Sequence, residues 1–192
     1  MRSPLLAALV AATALAFPRV GAAADAAGPA SAAAPSDRTC LAVFGHGRNR
    51  SDTDARVNEQ WNRVNAAFNQ AVDEALRPAG RPTVTFLLPV EGRDFDAMFS
   101  RLMKLAGAER CDTLVETSMY ADQARHAFVS RVTVHLVVAQ HDAATDSTRY
   151  VVGRQLFDRE RSDPLTKETL DTLSPTDAAR ELVGAWLASP DR

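Results

Sequence analysis

The chain has 192 residues, of which 46% are hydrophobic and 24% charged, and its formal net charge is −2. That composition excludes a disordered or fibrous chain and leaves enough apolar material for a packed core. A mildly acidic balance without a basic stripe argues against nucleic acid or anionic lipid as the main partner.

Residues 1–24 predict a cleaved signal peptide: Arg2 supplies the positive start, Leu5 to Phe17 an apolar run, and Ala22-Ala23-Ala24 a small-residue cleavage site. The run is shorter than the roughly 20 apolar residues a membrane-spanning helix needs, so no transmembrane anchor is expected after cleavage. Cys40 in "SDRTC" lacks the small-apolar run of a lipoprotein signal. Loss of Arg2 and Arg19 takes the 22 basic side chains to 20 against 24 acidic ones, a net charge of about −4. Residues 25–37, "DAAGPASAAAPSD", read as a disordered Ala/Pro/Ser-rich spacer, and 38–190 as a single α/β domain. Lys104 and Lys167 are the only lysines, which with the alanine excess suggests a GC-rich bacterial genome and a periplasmic location. In an oxidising compartment Cys40 and Cys111 are expected to form a disulfide.

"TCLAVFG" predicts a first strand buried on both faces. From Asp54, the apolar positions Val57, Trp61, Val64, Phe68, Val72 and Leu76 mark one face of a helix that stops at Pro78-Ala79-Gly80. "PTVTFLLPV" predicts a second buried strand. Asp94 can cap a second helix carrying Phe95, Met98, Phe99, Leu102 and Leu105. "CDTLVETSMY" reads as a third strand. A long alternating fourth strand follows, with Phe128, Val132, Val134, Leu136 and Val138 on one face and Arg131, Thr133 and His135 on the other. "RYVVGRQLFD" is a fifth, and Asp158 to Leu173 reads as a polar loop. Ser174-Pro175 starts a last helix with Ala178, Leu182, Val183, Trp186 and Leu187 on its apolar face; Trp61 and Trp186 are both expected in the core.

The order β-α-β-α-β-β-β-α, with Asp112-Thr113-Leu114-Val115, Val132 to His141-Asp142 and Tyr150 to Phe157 in the third, fourth and fifth strands, resembles a group of exported bacterial domains. That group comprises the amino-terminal domain of the Tol translocation protein B, the curli-secretion lipoprotein and the lipoprotein activators of penicillin-binding proteins. The resemblance implies a three-layer α/β fold of the anticodon-binding-domain-like kind. Its mixed five-stranded sheet would have the order 2-1-3-4-5 with strand 4 antiparallel. His46-Gly47 stands where that group continues the first strand with apolar residues or proline.

In this strand order, ligands collect beyond the carboxyl end of the first strand. Gly45, His46, Gly47, Arg48, Arg50 and Glu91 therefore form a candidate ligand rim. Glycine amides, a helix N-terminus and an arginine fork are what an anion would need, and His46 can act as acid or base. The simpler reading of the same stretch is a strand-to-helix connection, because a lone G-x-G lacks the third glycine. No G-x-S-x-G elbow is present, and Asn49-Arg50-Ser51 is a chance sequon. His126, His135 and His141 lie around one strand without metal-ligand spacing, so neither a metal nor a cofactor is expected. Arg131, Thr133 and His135, with the charged "FDRERSD", suggest an incompletely covered sheet face or edge, a candidate interaction face. The expected function is a non-enzymatic periplasmic domain that binds another envelope protein. The alternative is a small anion-binding protein or hydrolase-like enzyme using the His46/Arg48 loop.

Overall fold

The computed structural model describes residues 39–46, 55–89, 95–166 and 172–190; the leader at 1–24 and the spacer at 25–37 lie outside the described residues. In chain order the elements are β1 (Cys40–His46), α1 (Ala55–Leu76), a 3-10 turn (Arg77–Ala79), β2 (Thr83–Leu88), α2 (Phe95–Ala108), β3 (Cys111–Asp122), β4 (Ala127–Asp142), β5 (Ser147–Pro164) and α3 (Pro175–Leu187). One sheet runs β2-β1-β3-β4-β5, with β1 parallel to β2 and β3, and β4 antiparallel to both of its neighbours. This is the expected mixed α/β sheet in the expected order.

The period-2 alternation of the central strands divides the core into two layers. On one face Leu41, Val43, Val115, Val132 and Val134 pack against Phe68, Val72 and Leu76 of α1 and Leu182, Val183 and Trp186 of α3. On the other, Ala42, Phe44 and Leu114 meet Leu102, Ala106, Met98 and Phe99 of α2. Each fully buried Leu, Val or Phe contributes about 1.5–3 kcal/mol relative to exposure. Helix ends follow the local chemistry. Gly80, at φ 66°, closes the turn after α1 by donating its N–H to the Arg77 carbonyl at 2.9 Å. Ser174 caps α3, its hydroxyl accepting the Asp177 N–H at 3.3 Å with Pro175 just inside the helix.

Four expectations need correction. β2 is half-buried rather than buried on both faces, because it is an edge strand. Asp158 to Pro164 is not a loop: β5 continues to Pro164, pairing Phe157 to Pro164 with Val134 to Ala127. Its polar sequence is that of an edge strand, where charged side chains reach solvent. Within α2, Leu105 is exposed and Met103 and Ala106 point inward instead. Trp61 is half-buried, its ring 5.7 Å from Phe128, whereas Trp186 lies in the core as expected.

β5 is longer than its partner needs. Between Val152 and Phe157 it takes five steps where β4 takes three from Val137 to Val134, so extra residues bulge and bend the ribbon. Beyond the bend, Val138 is exposed and Tyr150 reaches α2. A Cβ on Gly107 would lie 2.0 Å from the Tyr150 ring, so only glycine admits this contact.

At the other end of the layer, the disulfide Cys40–Cys111 ties the starts of β1 and β3. The entropic model assigns a loop of this separation about 4 kcal/mol. Arg81 reinforces the join: its Nε donates to the Thr39 carbonyl at 2.7 Å, one Nη to the Cys40 carbonyl at 3.0 Å, and the same nitrogen to Asp112. Burial alone would raise the Asp112 carboxyl, but hydrogen bonds from Thr113, Thr39 and Arg81 outweigh it and hold the group below its ordinary value.

Replacing Gly107 with Val is expected to cost about 1–3 kcal/mol in urea unfolding, because the ring must move. In a double-mutant cycle, Tyr150→Ala should recover part of that loss; full additivity would show that ring and glycine do not touch. Because the folded pKa of Asp112 is depressed, its contribution is present above about pH 4 and is lost as pH falls through the lower native value. Asp112→Asn should therefore flatten the acid limb of stability against pH, and an unchanged limb would contradict the assignment.

Candidate functional site

His46 is the last residue of β1, and β3 beside it extends to Asp122. His46 and Glu116 share the α2 side of the sheet. The His46 Nε2 and the Glu116 Oε1 share a hydrogen bond at 2.6 Å. The His46 residue is only 7% exposed. Its ring lies 5.6 Å from Phe44 and edge-on to Phe95 at 5.9 Å, and Phe95 stacks on Phe99. An aromatic wall thus closes one side of the imidazole and a carboxylate holds the other.

β4 brings the second group. Thr133 stands opposite Glu116, and His135 opposite Leu114, placing the His135 Nε2 3.9 Å from the other Glu116 oxygen. Thr133 is buried, and Arg131 makes a two-pronged contact with Asp158 of β5, with its Nε 2.7 Å from Oδ1. On the candidate interaction face, Arg131 and Thr133 both donate to Asp158 of β5 across the sheet. His46 of the rim and His135 of this face, separate in the sequence, meet at Glu116.

Gly45 serves a different purpose from the one its G-x-G context suggests. It lies within β1, and a Cβ there would sit 2.7 Å from the Asn69 amide carbon. That buried amide accepts from the Thr117 hydroxyl at 3.0 Å and donates to the Phe86 carbonyl at 3.2 Å, joining α1 to two strands. Asn65, four residues earlier, accepts the Met119 N–H at 2.9 Å. Gly47, Arg48, Arg50, Glu91 and Asp94 lie outside the described residues.

The remaining histidines do not join the site. His126 occupies the β3–β4 turn at φ 48°, and His141 lies near the β4–β5 turn, 3.8 Å from Asp146. Among the described residues no group of three His, Cys, Asp or Glu is placed to hold a metal ion. The sequence does not point to Glu116, and it points to Asp158 only within the charged "FDRERSD". The available signal for Glu116 was an ionisable residue between Val115 and Thr117 in an otherwise buried strand, which demands a partner.

No family model matches the chain, and no curated protein matches it. Among solved structures it is similar to a point variant of the PelC dodecamer from Paraburkholderia phytofirmans, at 13% identity over 79% of this chain and 86% of that one, with a TM-score of 0.37. The PelC dodecamer from the same organism aligns at 12% identity over 79% and 87%, with a TM-score of 0.36.

Removing the carboxylate leaves a buried imidazole without its acceptor, a loss of about 1–3 kcal/mol. Glu116→Ala should show that loss in chemical unfolding, and Glu116→Gln, which keeps an acceptor oxygen, should show less. Equal losses would mean that the pair with His46 does not contribute.

Proposed function

We propose that the protein is an exported, non-enzymatic domain that works by binding another protein of the cell envelope. The observation that carries this reading is β5, an 18-residue strand that among the described residues is paired on one side only, at the border of the sheet. Such edges either repel other chains or recruit them as an added strand. Export is supported by the bonded cysteines, which belong to oxidising compartments, and by the signal-like leader. Among the described residues no helix is long and apolar enough to cross a membrane. The resemblance in element order to the Tol, curli-secretion and penicillin-binding-protein-activator domains suggests the kind of system in which such a part would act.

The alternative, an anion-binding protein or hydrolase-like enzyme built on His46, is less well supported. The Nε2 of His46 already faces a carboxylate, which an incoming anion would have to displace. That reading rests on Arg48 and the loop around it.

A photo-reactive p-benzoylphenylalanine placed at the exposed edge residue Arg159 should give a reproducible adduct with one envelope protein in cells. The same group at Arg63, on the exposed side of α1, should not. If neither position yields a position-specific adduct, the interaction reading falls.

A further inference from the structure

Between α2 and the start of β5 runs a groove of about 510 Å³, walled by Phe99, Met103 and Lys104 on the helix and by residues 148–152 on the strand. Its strand wall is unusual. Side chains alternate across a strand, so a groove that faced one side of β5 would touch every second residue. This one is reached by five consecutive residues, so backbone as well as side chains line it, and β5 is the last strand of the sheet on that border. β4 holds the opposite edge, pairing Thr148, Arg149, Tyr150, Val151 and Val152 with His141, Gln140, Ala139, Val138 and Val137. The groove therefore lies where another strand would pair.

We propose that this groove takes an extended segment of the partner protein as an added sixth strand, with apolar side chains at alternate positions and carboxylates between them. The proposal rests on the reading of the protein as an interaction domain and names its docking site. Backbone groups of 148–152 would supply the ladder, and the apolar side chains would fall against Phe99, Met103 and the exposed Val152. Charge supplies the second argument. The groove is lined by two cations, Lys104 and Arg149, and by no carboxylate. Arg149 donates to Gln140 across the ladder at 3.1 Å, a neutral partner. An incoming carboxylate on the same face would lie beside it as a cross-strand pair. Tyr150, packed over Gly107, holds this end of β5 at a fixed distance from α2 and so sets the width of the groove.

The test uses the mature protein and three synthetic probes: a short peptide alternating Asp and Val, its Lys-Val counterpart, and the Asp-Val peptide N-methylated at alternate backbone nitrogens. Hydrogen exchange read residue by residue should show the Asp-Val peptide slowing amides within 148–152 by about tenfold or more at saturation. Lys104→Glu combined with Arg149→Glu should weaken that binding by about tenfold, as reversal of two rim charges allows. Absence of slowing with the Asp-Val peptide overturns the proposal, as does equal slowing by either of the other two. Protection of 148–152 that grows with protein concentration and no peptide assigns the edge to a second copy of this chain and also overturns it. If the Arg159 adduct persists while the peptides fail, the groove alone is wrong and the interaction reading stands. If the peptides protect while the adduct is absent, the groove stands and the envelope partner falls.

Discussion

Two side-chain amides on α1 hold the helix to the sheet. The buried Met119 N–H needs an acceptor, and leaving it without one would cost about 1–3 kcal/mol. Asn65 supplies the acceptor, and Asn69 spans the last paired residues by joining Thr117 to Phe86. With both amides engaged, α1 has one axial position and one rotation over the sheet. Gly45 follows from this, since only a residue without a side chain admits the Asn69 amide. On the opposite face His46, at the end of β1, meets Glu116 beside the Phe95 ring.

Much of this architecture was legible in the residues. The continuous apolar run of β1, the helical spacing from Val57 to Leu76 and the Ser174-Pro175 start of α3 each carry a local physical signature, and each element formed there. What escaped was set by neighbours distant in sequence. The second half of β5 reads as a loop because its charges answer Arg131, Arg125 and Glu181 on other elements, and no local pattern reveals such partners. β2 reads as buried because apolar content does not distinguish an inner strand from an edge. The meeting of His46 with Glu116 spans 70 residues and depends on the β1–β3 register, which the linear chain does not display.

Of the two candidate regions seen in the sequence, the described parts are tied together by side-chain bonds. His46, at the end of β1, pairs with Glu116. The polar side of β4 is bonded across to Asp158 of β5. The part of the meander beyond the β5 bulge is built otherwise, with Val138 and Val152 exposed and Tyr150 resting on α2. The bulge thus divides the ribbon into a charge-locked segment and an apolar one.

The bond between Cys40 and Cys111 also bears on the order in which the chain assembles. It closes a loop containing β1, α1, β2 and α2, whereas β3, β4 and β5 join one another through two short turns. Contacts between near neighbours in sequence are cheaper to close than contacts across long loops, so for a reduced chain the seating of β1 between β2 and β3 carries the larger entropic cost. Once the cysteines are bonded, the start of β1 is tethered to the start of β3, and a strand that opens returns to its place without closing that loop again.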